Sequence, residues 1–226
     1  SVSNIQFTGN QRLRDGELMD VVLLKTGDMA SKNTVQLDVE AIKGLYYERG
    51  FPDAEVTYDI EVNEENNTAK VTFLIDEGKQ TTIKEIRFSG NDFASDGSLE
   101  GVLKTKKQSF FNSGVFQEGN LEEDIANIQS YYWDRGYVDA RVVDVVREFD
   151  DEESGESRNY MILTYYIEEG EQYTYGGMEF EGNQIFDTEE LQELVRQEVG
   201  SVLSKSKLES DFQRVLDLYY ENGYIF

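Results

Sequence analysis

Three short marks recur along the chain in one fixed order. Gly-Asn stands at Gly9-Asn10, Gly90-Asn91 and Gly182-Asn183, each closing a short alternating apolar run: Ile5-Gln6-Phe7, Ile86-Arg87-Phe88 and Met178-Glu179-Phe180. A Gly followed by an aromatic residue recurs at Gly50-Phe51, Gly136-Tyr137 and Gly223-Tyr224, and Glu-Gly recurs at Glu77-Gly78 and Glu169-Gly170. From Asn10 to Gly50 is 40 residues, from Asn91 to Gly136 is 45, and from Asn183 to Gly223 is 40. Repetition at a near-fixed period means that one supersecondary unit is used several times. The units run over 1–79, 80–171 and 172–226, the second being the longest.

The local patterns predict what each unit contains. An alternating run ending in Gly-Asn reads as a strand entering a left-handed turn. A short helical stretch follows, carrying Leu18, Val22 and Leu23 in the first copy and Leu191, Leu194 and Val195 in the third. Next come Val35/Val39/Ile42/Tyr46, Leu121/Ile125/Ile128/Tyr132 and Leu208/Phe212/Val215/Tyr219, all spaced i, i+4, i+7, i+11. That spacing is one face of an amphipathic helix. Asn33–Gln36 and Ser206–Glu209 have capping-box spacing at its start, and Gly50, Gly136 and Gly223 sit where a left-handed C-cap belongs. Asp38, Asp124 and Asp211 recur at one position of this helix, which reads as acid favoured near a helix N-terminus.

After the helix, Val56, Tyr58, Ile60 and Val62 alternate as a half-buried strand does, facing the core. The second copy, Val142-Val143-Asp144-Val145-Val146, is less regular. A polar turn and a last strand then run into Glu-Gly. Each full unit therefore reads β-α-α-β-β. This is an α+β fold of tandem modules, each a three-stranded mixed sheet packed on two helices. The third stops at Phe226 and is expected to lack its last two strands. Only a few residues separate each Glu-Gly from the next module, so restricted hinges are expected.

Composition narrows function. The chain has 46 acids against 21 bases, a formal net charge of −25, with no His and no Cys. Such a surface repels phosphate backbones and anionic bilayers, so no nucleic-acid partner is expected. A Ser-His-Asp triad, a Cys nucleophile and a Cys/His zinc site are all excluded. The excess of acid is spread over all three units. No cofactor, metal site or catalytic residue emerges. Asp150-Asp151-Glu152-Glu153 with Glu156 lacks the ligand spacing of a calcium loop and reads as a solvated hairpin tip. Carboxylate pairs such as Glu64-Glu65 and Glu122-Glu123 lack the cleft that a hydrolase needs.

The opening Ile-x-Phe-x-Gly-Asn, the Tyr-Tyr…Gly-Tyr helix end (Tyr131-Tyr132-Trp133-Asp134-Arg135-Gly136-Tyr137) and the closing Glu-Gly (Glu169-Gly170-Glu171-Gln172-Tyr173) together resemble POTRA (polypeptide-transport-associated) modules. The resemblance is to the periplasmic arm of outer-membrane barrel-assembly proteins and covers essentially the whole chain. It implies a non-enzymatic scaffold and chaperone arm in the periplasm, tethered through a C-terminal transmembrane β-barrel absent here. Its implied partners are unfolded outer-membrane β-barrel proteins and accessory assembly lipoproteins. It also implies that the second strand of each module is a free edge to which a client strand can add. Here those strands run over Ala54–Val62 and Ala140–Arg147, with Ala54, Val56, Tyr58, Ile60, Val62, Ala140, Val142, Val143, Asp144, Val145 and Val146 as candidate binding residues. Alternatives are a protein-translocation or two-partner-secretion arm of the same family, an acidic Ca²⁺-dependent surface module, and a carboxylate-pair hydrolase.

One insertion stands apart. Lys104-Thr105-Lys106-Lys107 is the only basic cluster, and Phe110-Phe111 with Val115-Phe116 follows it. Lys106, Lys107, Phe110 and Phe111 suit a partner-docking loop. The competing reading is an aromatic loop folded under its own helix, and burial, the default for Phe, is what the sequence favours.

Overall fold

In the computed structural model, residues 1–224 are described; Ile225 and Phe226, and with them the expected break-off of the third module, lie outside the described residues. The chain forms two compact units. One comprises Ser1–Ile86, Thr105–Leu121 and Arg147–Leu163; the other comprises Arg87–Lys104, Glu122–Val146 and the chain from Thr164 onward.

The first unit opens with strand β1 (Val2–Thr8), helices α1 (Asp15–Val21) and α2 (Lys32–Glu48), and strands β2 (Glu55–Asn63) and β3 (Thr68–Asp76). The sheet order is β1-β3-β2. β1 runs parallel to β3, and β2 pairs antiparallel with it, so the sheet is mixed. Phe7 and Phe73 pair across the parallel ladder, their rings stacked with centroids 5.6 Å apart. The predicted face of α2 is buried whole: Val35, Val39, Ile42 and Tyr46 pack with Leu18, Val71 and Phe73. Each such side chain contributes about 1.5–3 kcal/mol of burial.

The remaining elements repeat the order: β4 (Gln80–Ser89), α3 (Asp96–Val102), a 3₁₀ turn (Glu118–Asn120), α4 (Leu121–Trp133), β5 (Arg141–Phe149) and β6 (Arg158–Glu168). Their sheet order is β4-β6-β5. Then come α5 (Thr188–Glu193) and α6 (Lys205–Glu221). Among the described residues no helix is long and apolar enough to cross a membrane.

The recurrent marks meet in space. Gly9 has φ +87° and turns the chain; the Asn10 amide then donates to Leu13 O at 3.0 Å and to Asp15. The Glu77 carboxylate accepts from the backbone N–H of Gln11 and Arg12 at 2.9 Å each, and from the Tyr46 hydroxyl at 2.9 Å. The other unit repeats this: Asn91 donates to Ala94 O, and Glu169 accepts from the Phe93 N–H and the Tyr132 hydroxyl. Gly-Asn, the helix-end Tyr and Glu-Gly are thus three parts of one clamp. A second stitch also recurs. In the first unit the Thr81 N–H donates to Gly50 O at 2.8 Å and the Gln80 side chain to Arg49 O at 3.2 Å. In the second, the Tyr173 N–H donates to Gly136 O at 2.8 Å and the Gln172 side chain to Arg135 O at 2.9 Å.

Burial, then the neighbouring Glu carboxylate, push the Tyr46 and Tyr132 hydroxyls far above the ordinary tyrosine range. A group whose folded pKa is raised contributes stability that is intact below its unfolded value and lost as pH climbs past it. Both tyrosines therefore weaken the fold above about pH 10, where an unfolded tyrosine ionises. Tyr46→Phe is expected to cost about 1.5–3 kcal/mol at pH 7, since the hydroxyl donates to a charged group. It should also shrink the further loss between pH 9 and 11. Urea unfolding at the two pH values checks both effects.

Several expectations need correction. Ser31 holds the N-cap position of α2 without a side-chain cap bond, and α6 is capped by Ser204, whose side chain accepts from the Lys207 N–H, so the predicted capping boxes begin two residues late. The short helices end early. Val22 and Leu194 are C-caps, and Leu23 is exposed, because its N–H turns inward to Asp38. Met178–Phe180 forms no strand: a strand needs a ladder partner, and among the described residues none pairs with it. Val62 is 68% exposed because β2 runs on past the core.

Asp38 and Asp211 lie beyond the first turn of their helices, whereas Asp124 does sit in the first turn of α4, where acid was expected. All three are fully buried and grip the chain that follows the short helix. Asp38 accepts from the Leu23 and Leu24 N–H groups at 2.7 and 3.1 Å, Asp124 from Lys104 at 2.6 Å, and Asp211 from Arg196 and Gln197 at 3.0 Å each.

Candidate functional site

A strand at the end of a sheet carries a row of N–H and C=O groups that no neighbour satisfies. The sheet orders put β2 and β5 at such ends. Ala54 is buried just before β2; Val56 is buried within it, Tyr58 and Ile60 are half-buried, and Val62 is exposed. Glu55, Thr57, Asp59 and Glu61 present an acidic outer face. Among the described residues no side chain bonds a β2 amide.

β5 differs. Ala140 is buried ahead of it, and its carbonyl accepts from the Trp133 indole N–H at 3.1 Å. Val142, Val145 and Val146 are half-buried while Val143 and Asp144 are both exposed, so the in-out alternation breaks at mid-strand. Two of its amides are taken by side chains: Val142 N–H donates to Gln129 Oε1 at 3.3 Å and Val145 N–H to Asp144 Oδ1 at 2.8 Å. A carboxylate bonding the amide next to it closes that stretch of edge to an incoming strand.

The candidate docking loop is a tight hairpin. The Gln108 N–H donates to Ile83 O at 2.7 Å, the Ile83 N–H to Gly114 O at 2.6 Å, and Ser109 and Asn112 exchange backbone bonds at 2.9 and 3.3 Å. Phe110 and Phe111 sit at the tip, 95% and 94% exposed, their rings edge-to-face at 5.0 Å. Burial, the favoured expectation, fails for these two because a two-residue turn leaves nothing to cover them. It holds for Phe116, which lies inside. Lys106 and Lys107 are exposed beside the hairpin.

Two features escaped the sequence reading. One is a groove of about 370 Å³ in the first unit, lined by Tyr47, Pro52, Phe116, Arg147, Phe149 and Met161 among others. Arg147 is paired with Glu118 at its rim and lies over the Phe116 ring. The other is the organisation of the acidic tip, where Lys84 pairs with Asp150 at 2.5 Å and Glu153 at 2.9 Å. Those bonds hold the Asp150 carboxyl below its ordinary range. Among the described residues no group of three or more acids is placed to hold a metal ion.

Repeated sheet-and-helix modules with clamped turns define a class of tandem α+β modules. The chain belongs to the POTRA family, whose model, described as "Surface antigen variable number repeat", matches residues 1–78, 81–170 and 173–226. A Treponema pallidum (strain Nichols) protein, provisionally named as an outer membrane protein assembly factor, is 42% identical over 224 residues, 99% of this chain and 26% of that one. The outer membrane protein assembly factor BamA of Nitratidesulfovibrio vulgaris is 25% identical over 233 residues, 100% of this chain and 29% of that one. The chain thus spans between a quarter and a third of these curated relatives. The crystal structure of POTRA modules 3–5 of Haemophilus influenzae BamA shares the fold, with a TM-score of 0.52 and 22% identity over 99% of this chain and 86% of that one.

Proposed function

We propose that the chain is three POTRA modules (1–79, 80–171 and 172–226) from the periplasmic arm of an outer-membrane protein assembly factor, and that it acts as a non-enzymatic scaffold for unfolded β-barrel clients. On this reading a barrel in the same polypeptide tethers the arm to the outer membrane, and accessory lipoproteins join it. The assembly-factor relatives support the setting. The observation that carries the mechanism is the open edge of β2: a client strand adds there through main-chain bonds, which are indifferent to client sequence. Four to six such bonds at about 0.5–1.5 kcal/mol each leave weak binding after ordering costs. Weak binding lets the client move on. The acidic outer face of β2 favours clients with basic residues at short range.

β5 is the lesser edge, because Gln129 and Asp144 occupy its amides. Titrating the chain with a peptide of alternating apolar residues should shift amide resonances in Glu55–Asn63 and leave Arg141–Phe149 nearly unmoved. The double variant Gln129→Ala, Asp144→Ala should then bring β5 into the response. Peptides that perturb neither strand in either protein would sink the strand-addition reading.

A further inference from the structure

In a chain with 46 acids, the longest stretch without one runs from Gly101 to Gln117, between Glu100 and Glu118. It contains Lys104, Lys106 and Lys107 and the Phe110–Phe111 hairpin. We propose that this hairpin is a lipid anchor, its two phenyl rings entering the interface of a phospholipid bilayer while the lysine-bearing stretch that leads into it lies at the level of the headgroups.

Three observations converge. The rings are almost wholly exposed, which for two adjacent phenylalanines marks a surface used in contact. They are held out rigidly: the Gln108, Ile83, Ser109 and Asn112 backbone bonds fix the hairpin, and the Asn112 side chain accepts from the Gly114 N–H at 2.8 Å. Gly114 has φ +68°, and a Cβ there would fall 2.4 Å from Gln108 N, so the turn is built for glycine. The third is charge. No acid lies within this stretch of sequence, although Lys104 is paired with Glu123 of α4, and a phosphate surface is what the rest of the chain repels. A convex tip with two outward rings suits a bilayer, which accepts any apolar protrusion; a folded partner would need a cleft to fit both rings. Apolar residues flanked by Lys are the chemistry of interfacial anchors.

The test uses the 226-residue chain and phosphatidylcholine vesicles, with and without brominated acyl chains. Phe110→Trp should show blue-shifted emission on adding vesicles and quenching by the brominated lipid, whereas Trp133 in the parent chain should not respond. Flotation with the vesicles should fall at least fivefold in the double variant Phe110→Ser, Phe111→Ser, with melting temperature unchanged because neither ring packs in a core. Lys106→Glu with Lys107→Glu should also weaken flotation. Absence of quenching, or flotation indifferent to the serine pair, overturns the anchor. So does lipid-free self-association that vanishes in the serine pair, which would assign the tip to a second copy.

Discussion

Gly9→Ala and Gly90→Ala should each destabilise the protein by about 3 kcal/mol or more, while Gly182→Ala should cost only about 1 kcal/mol. All three glycines have positive φ: +87°, +84° and +73°. Backbone strain is therefore common to them. What differs is the space. A Cβ on Gly9 would lie 1.9 Å from the Ile75 carbonyl oxygen, and one on Gly90 would lie 2.0 Å from that of Ile167. At Gly182 nothing lies within 4 Å. The obstructing atoms are backbone of β3 and β6, in the middle of their sheets, and cannot step aside. The turn must move instead, which drags Gln11 and Arg12 off Glu77 in one unit and Phe93 off Glu169 in the other. Hydrogen exchange at Gln11, Arg12 and Phe93, with calorimetric melts of the three variants, measures this. Equal costs at all three positions would show that φ alone matters and that the clamp adds nothing.

The clamp explains why so much of the fold could be seen in the sequence. A positive-φ turn demands Gly, a helix face demands i, i+4, i+7 spacing, and both leave a local signature. The order β-α-α-β-β followed from those signatures. What they could not show was where the pieces return to one another. Glu77 bonds backbone N–H groups sixty-odd residues away, and a backbone amide has no identity in sequence. The buried aspartates did leave a trace. Asp38 is three residues after Val35 and four before Ile42, Asp124 is so placed between Leu121 and Ile128, and Asp211 between Leu208 and Val215. A charge in the middle of an apolar stripe must be satisfied inside the core. That placement, rather than mere recurrence near a helix start, was the informative fact. The candidate site was legible in part: the strands are where they were expected, but the side-chain caps on β5 depend on how one carboxylate and one amide turn. The exposed Phe pair departs from the burial usual for its residue type because the hairpin is too short to fold over itself.

Asp38→Ala should cost about 2–5 kcal/mol, because it strands two inward-facing backbone N–H groups, each worth about 1–3 kcal/mol unsatisfied. Asp38→Asn keeps the shape but sets an NH₂ against one of the two donors, so it should recover less than half of that loss. Asp211 offers a second view of the same device. Burial pushes its carboxyl up, yet the Gln197 and Arg196 N–H groups and the Arg214 guanidinium more than offset this and hold it below the usual range. A depressed folded pKa contributes stability that is intact above about pH 4 and is lost as pH falls through the folded value. Asp211→Asn should therefore lower stability at pH 7 and flatten its decline below pH 4. The alternative account, a surface charge interacting with the helix dipole, makes opposite demands. It allows at most about 1 kcal/mol, screened by salt. Urea unfolding of Asp38→Ala at 20 mM and 1 M NaCl separates the two: a buried bridge between helix and chain keeps its cost in salt, and a dipole charge loses it.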